Sequence, residues 1–298
     1  MFAGKIGSTT ALEFTLPRLN QLAAALLGLF GLSLGAQARS HKARVVQRAL
    51  RQSVRVEVVA GGKVARAASG VIVASEGTTS YVLTNAHVVE RKGLPAGALF
   101  EVVIERPRLH RLRGRIVAEG HAPEDDLALL QVEGERLTAA PLATEEQVDV
   151  GDDVVVIGAP YGRALSVSSG IVSQLETDEG DSHQQRGMKT DAPIGYGASG
   201  GGVFEVPSGR LVGLVEGYRT AKVNFGGLSN DDFSFDVPMP GETFLAPPTQ
   251  LRAFLVRAGI GKLAGLREGS GREPKLVSQG ASQDLPLAQR SEPRPRSQ

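Results

Sequence analysis

The sequence predicts an all-β chain, a sandwich or barrel built from many short strands. Three observations carry this. Short runs of alternating or wholly apolar residues recur along the chain. Turns rich in glycine, proline and serine separate them. A helical spacing of apolar residues surfaces only near residue 250.

Taken in order, Val54-Arg55-Val56-Glu57-Val58 alternates as a half-buried strand does, and Ala60-Gly61-Gly62-Lys63 reads as a hairpin turn. Gly70–Val73 and Tyr81–Thr84 follow as strands. Further strands are expected at Phe100–Glu105, Arg113–Ala118 and Leu127–Val132. A second group comprises Asp152–Ile157, Leu165–Leu175, Gly201–Val206 and Leu211–Tyr218, with Pro207-Ser208-Gly209-Arg210 as the turn between the last two. Leu251, Phe254 and Leu255 stand at i, i+3 and i+4, and Gly259 follows as a stop, so a short helix is expected there. No internal repeat is legible.

The chain has 298 residues, 41% of them hydrophobic, enough for one large β domain or two small ones. A net charge of +1 points to no nucleic-acid or acidic partner. With no cysteine, disulfides, thiol nucleophiles and cysteine–zinc sites are excluded, and no metal or cofactor is expected. At the start, Lys5 and Arg18 precede an apolar run from Leu22 to Leu34, followed by Ala36-Gln37-Ala38. That is the pattern of a signal peptide over 1–38, with the mature chain beginning at Arg39. The run is shorter than the roughly 20 residues of a membrane span, and an uncleaved anchor is the other reading. At the far end, 262–298 is rich in Gly, Ser, Gln, Arg and Pro and reads as a disordered tail.

The richest motif is Gly197-Ala198-Ser199-Gly200-Gly201. A serine on a glycine turn can approach a substrate closely, and glycines let amide N–H groups converge on one point. A serine nucleophile needs a base, and the base needs an orienting acid. His87, in Thr84-Asn85-Ala86-His87-Val88-Val89, and Asp126, in Asp126-Leu127-Ala128-Leu129-Leu130, supply both. The motif also fits the nucleophile elbow of α/β-hydrolases, but those place histidine after serine. Here His41, His87, His110, His121 and His183 all precede Ser199. Gly195–Gly200 fits a dinucleotide fingerprint too, but Val203-Phe204-Glu205-Val206 follows as strand where that motif requires a helix. The order His, Asp, Ser is that of the double-barrel proteases.

With these blocks go Ser69–Val73, Ile157–Gly162, Ser169–Ser173, Thr190-Asp191-Ala192, Leu211–Leu214 and Phe244–Pro247. Together they resemble the HtrA/Deg-type trypsin-like serine proteases over roughly 45–258. The resemblance implies two antiparallel six-stranded β-barrels, at about 50–134 and 148–247, with a short C-terminal helix at about 249–258. It implies an exported serine endopeptidase of the periplasm or extracellular space, acting on unfolded or damaged polypeptide. A homotrimer follows by the same resemblance. A non-catalytic peptide-binding module on the same fold is the alternative. Only 38 residues follow position 260, so a protease domain without the usual PDZ domain is expected.

In that scheme Ser199 is nucleophile, His87 general base and acid, and Asp126 the orienting acid, with Asp125 a solvated surface charge. The amides of Gly197 and Ser199 form the oxyanion hole. Leu214-Val215-Glu216 offers a strand edge to substrate, and Ile194 and Leu214 border the specificity pocket. Pro193 stands where trypsin-like specificity would need an acid, so small or medium aliphatic residues are expected before the cut. The family usually has Asn before the serine; Ala198 there suggests a looser loop and a hole incompletely formed at rest. The long stretch Arg219–Glu242 reads as a functional or mobile loop.

Overall fold

A computed structural model describes residues 40–122, 125–175, 187–225 and 233–266, and within these the side chains of 222–236 and 238 are left undescribed. The expected signal segment, His183 and most of the expected tail lie outside the described residues.

Twelve strands form two closed barrels. The first contains β1 (Ser53–Ala60), β2 (Lys63–Glu76), β3 (Thr79–Thr84), β4 (Leu99–Ile104), β5 (His110–Glu119) and β6 (Ala128–Glu133), in the order β1-β2-β3-β6-β5-β4. The second contains β7 (Asp153–Gly158), β8 (Ser166–Leu175), β9 (Met188–Thr190), β10 (Gly202–Glu205), β11 (Leu211–Phe225) and β12 (Phe233–Ala246). Read from β7, its order is β7-β8-β9-β12-β11-β10, the first barrel's order repeated. All pairings are antiparallel, and β1–β4 and β7–β10 close the rings. The repeat escapes the sequence because alternation constrains only which face is apolar, not which residue stands there.

The hairpin read at Ala60–Lys63 joins β1 to β2, with Ala60 opposite Lys63. Gly61 and Gly62 both have positive φ, +57° and +75°, which the tight turn demands. Four elements were not legible, one of them the single helical turn at Ala86–Val89. Helix α1 (His41–Gln52) starts at Ser40, whose hydroxyl accepts from Ala43 N at 3.2 Å, and buries Val45, Ala49 and Leu50 along one face. Strand β9 has three residues, too few to show a period. Strand β12 and the outer half of β11 correct the expected 219–242 loop. Most of that stretch is a ladder, with Thr220 opposite Pro238 and Phe225 opposite Phe233.

Alternation sorts the side chains into three cores. Ala128, Leu130 and Val132 fill the first barrel with Val54, Val56 and Ile72. Val154 and Val156 fill the second with Val203, Val212 and Leu245. The opposite faces of the same strands, through Leu127, Leu129, Val155 and Ile157, form a third cluster between the barrels. Strands buried on both faces therefore read as continuous apolar runs. Helix α3 (Pro248–Arg257) adds Leu251, Phe254 and Leu255 to that third cluster, and α1 adds Ala49 and Leu50. Ile260 and Leu266 join it as well, so packing continues to Leu266 and the tail boundary expected at 262 falls inside the packed unit. No described helix is long and apolar enough to cross a membrane.

Leu251 is fully buried where α3 seals the space between the barrels. Leu251→Ala should lower unfolding free energy by about 2–5 kcal/mol, the cost of a cavity in a packed core. Urea denaturation of both proteins measures this, and a difference under about 1 kcal/mol would contradict it.

Candidate active site

His87 lies on α2 (Ala86–Val89), a single turn that begins where β3 ends. Val88 and Val89 are buried in the first barrel and pin this turn. Asp126 stands just before β6, and its two carboxylate oxygens divide the work. Oδ1 accepts from the His87 backbone N–H at 2.9 Å, and Oδ2 meets ring Nδ1 at 2.6 Å. The buried amide of Asn85 adds a bond from Nδ2 to the Asp126 carbonyl at 2.8 Å. A carboxylate at Nδ1 selects the tautomer protonated there and leaves the Nε2 lone pair toward the cleft. Asp125 turns the other way: its Oδ2 takes Arg257 Nη2 of α3 at 2.5 Å. It is a surface ion pair, with Arg257 exposed and Asp125 partly so.

Ser199 sits in the loop 195–201. Gly200 has φ +79°, and a Cβ there would fall 2.1 Å from the Ser69 carbonyl oxygen, so only glycine fits. Five consecutive carbonyls of this loop are occupied. Gly195 O accepts from Ala198 N, Tyr196 O from Tyr161 N, Ala198 O from Gly201 N, and Ser199 O from Ser69 N. Gly197 O accepts from the Ser69 hydroxyl at 2.7 Å. In a trans peptide the N–H points away from the C=O, so fixing these carbonyls also aims the amides. The N–H groups of Gly197 and Ser199 have no hydrogen-bond partner among the described residues. The Ala198 side chain is buried in the second barrel's core, and the loop's carbonyls are held from within the loop, by Tyr161 and by Ser69 of the first barrel.

Ser199 Oγ bonds to the Glu216 carbonyl at 3.5 Å rather than to His87. Such bonds are commonly long or misaligned before substrate arrives. The Glu216 side chain senses both other groups. Burial, and then the Asp126 charge, push its carboxyl up to about 7, against a smaller pull from His87.

The strand edge left free by β10 begins two residues beyond the one expected. Leu214 pairs with Gly202 on one side and Ala246 on the other, and its side chain is buried between the barrels. Both backbone groups of Val215 are taken by Gly200 and Gly201. Strand β10 has no partner for β11 beyond Leu214, so the edge free of β10 begins at the bulge residue Glu216 and continues through Gly217 and Tyr218, which pair with β12 on the other side. Ile194 is half-buried against the second barrel's core. Tyr161, Tyr196 and Tyr218 line up next to the loop, with ring centroids 6.3 and 5.7 Å apart. They are three of the chain's four tyrosines. Tyr161 has φ +56°, uncommon for a residue with a side chain, and is held there by its bond to Tyr196 O. Scattered aromatics carry no pattern in sequence, so this group was not foreseen.

Residues 68–214 match the family described as trypsin-like peptidase domain. A protein named "Probable periplasmic serine endoprotease DegP-like", from Ectopseudomonas mendocina, is 34% identical over 185 residues, covering 62% of this chain and 35% of its own length. The magnetosome formation protease MamE of Paramagnetospirillum magneticum is 31% identical over 226 residues, covering 74% of this chain and 26% of its own. The chain thus spans about a third or less of these relatives. The serine endoprotease from Yersinia pestis superposes with a TM-score of 0.56 at 22% identity, over 74% of this chain and 68% of that one. An HtrA-type protease solved with a tripeptide gives 0.55 at 26% identity, over 74% and 64%.

A carboxyl held near 7 when folded, against an ordinary value of 4.5, keeps a proton that the unfolded chain has lost. Its contribution favours folding below about pH 4.5 and is lost as pH rises through 7. Glu216→Gln removes the dependence. The variant should gain about 2–3 kcal/mol relative to wild type between pH 4.5 and 8.5. Urea midpoints at the two pH values measure it; parallel shifts in both proteins would contradict it.

Proposed function

The chain carries a trypsin-like peptidase domain of the HtrA type, and on that premise we propose that it is an exported serine endopeptidase acting on unfolded or damaged polypeptide. The observation that carries this reading is the pair of undonated amides, Gly197 N–H and Ser199 N–H, on the loop that bears Ser199. A surface that merely held peptides would have no use for two unpartnered donors beside a serine.

In this reading Ser199 Oγ attacks the scissile carbonyl carbon while His87 Nε2 takes its proton. Asp126 keeps the imidazole oriented and stabilises it once charged. The carbonyl oxygen gains charge between the two free amides, where each such donor contributes about 3–4 kcal/mol to the transition state. His87 then gives the proton to the leaving amine, and the acyl group stays on Ser199. Water, deprotonated by the same histidine, releases it. An extended substrate lies along Glu216–Tyr218 by strand addition. The side chain before the cut is small or medium aliphatic, received beside Ile194, and Pro193 supplies no acid to attract Lys or Arg. A signal peptide over 1–38 sends the chain to the periplasm, and a homotrimer is the assembly that the family resemblance implies.

Ser199→Ala should abolish casein cleavage and fluorophosphonate labelling while leaving the thermal unfolding midpoint in place. Cleavage equal to wild type would overturn the reading.

Asp126→Asn should lower turnover by about 10⁴, because the amide stabilises the wrong imidazole tautomer. Asp125→Asn, whose carboxylate pairs with Arg257, should change it less than about threefold. Steady-state kinetics at pH 8 on a peptide substrate separate the two, and a crippled Asp125→Asn would reverse the assignment.

A further inference from the structure

We propose that Ser69 is a positioning residue for chemistry at Ser199, setting the peptide planes of the oxyanion loop from the opposite barrel. The inference rests on the endopeptidase reading above.

Ser69 belongs to β2 of the first barrel and is fully buried. Its hydroxyl donates to Gly197 O at 2.7 Å and accepts from Ala159 N at 2.8 Å. Its own N–H donates to Ser199 O at 2.8 Å. Its carbonyl accepts from the Thr84 hydroxyl at 2.8 Å, three residues before His87. One residue thus touches the loop that carries Ser199, the turn that begins at Ala159 and the segment that leads to His87.

The consequence for the amides follows from planarity. Holding Gly197 O fixes the plane between Gly197 and Ala198, and holding Ser199 O fixes the plane after Ser199. The plane that carries the Gly197 N–H is fixed at Tyr196 O by Tyr161 N, on the turn whose first amide, Ala159 N, bonds to the Ser69 hydroxyl. The hydroxyl therefore joins the two supports of that amide. The Ala198 side chain has no polar atom to add to the loop's own backbone bonds, and no other described side chain donates to the carbonyls of 195–199. An oxyanion hole works only when its donors are aimed beforehand. Without the Ser69 hydroxyl, Ala159 N–H and Gly197 C=O lose their partner, and the loop regains freedom to turn its amides away.

The test is Ser69→Ala in the full chain. An organophosphonate counts active sites, and turnover of a peptide substrate is then expressed per titrated site. Turnover per site should fall by about 10- to 100-fold, a fraction of the loss seen when an oxyanion donor is removed outright, with KM changed less than about threefold. A merely structural serine would lower the unfolding midpoint and the number of titratable sites but leave turnover per site at the wild-type value, and that result would overturn the proposal. If Ser69→Ala does not fold, Ser69→Cys keeps the shape with a much weaker donor and acceptor. It should lose about 10-fold per site, and wild-type turnover there would likewise overturn it. Wild type that neither titrates nor turns over would instead sink the endopeptidase reading itself.

Discussion

A barrel closed on itself leaves no sheet edge to share with a neighbour. Two such barrels can join only by packing side chains or by lending hydrogen bonds across a loop. Here both happen; Arg55 and Glu105 reach Arg163 and Leu165, and the bonds to the Ser199 loop converge on buried Ser69. Its N–H, hydroxyl and carbonyl bond to Ser199, Gly197, Ala159 and Thr84. Because the interior excludes water, these groups have no second choice of partner, and leaving one unpaired costs about 1–3 kcal/mol. The loop that bears Ser199 thus takes part of its support from strand β2 of the other barrel.

The apolar packing follows the same division. Each barrel has its own interior, but the cluster of Leu127, Leu129, Val155, Ile157, Phe204, Leu211 and Leu214 belongs to both. It is closed from outside by α1 and α3, which bring Leu50, Leu251 and Leu255. This cluster fixes the relation of β6, which follows Asp126, to β11, which holds Glu216. The His87–Asp126 pair and Ser199 come from different barrels, so their meeting depends on this contact more than on either barrel's own stability.

Electrostatics sharpen the site. Asp126 is satisfied twice by His87 and sits among buried groups, whereas Glu216 is a second acid close by whose charge the site resists. Its position reflects strand lengths. Strand β10 has four residues and β11 has fifteen, so β11 outruns its neighbour and exposes a short edge at 216–218 on an otherwise closed sheet. The expected edge at 214–216 was displaced because Val215 gives its backbone to Gly200 and Gly201, a long-range pairing with no mark in local sequence.

The sequence by itself determined the strands and the identity of the chemical groups. Alternation, glycine turns and the order of His87, Asp126 and Ser199 are local or ordinal properties, and local propensity suffices to write them. The 3.6 spacing of Leu251, Phe254 and Leu255 likewise announced α3. Strand β9 was too short to carry a period, and the β11–β12 ladder beyond Tyr218 passed for a loop because pairing partners lie on another segment. The tertiary structure alone decided which carbonyls of 195–199 are occupied, where β11 is left without a β10 partner, how three tyrosines come to stand together, and that Ser69 reaches across from the other barrel. Each of these is a distance between residues far apart in the chain. A hydrogen bond formed 128 positions away leaves no periodicity behind for a sequence to show.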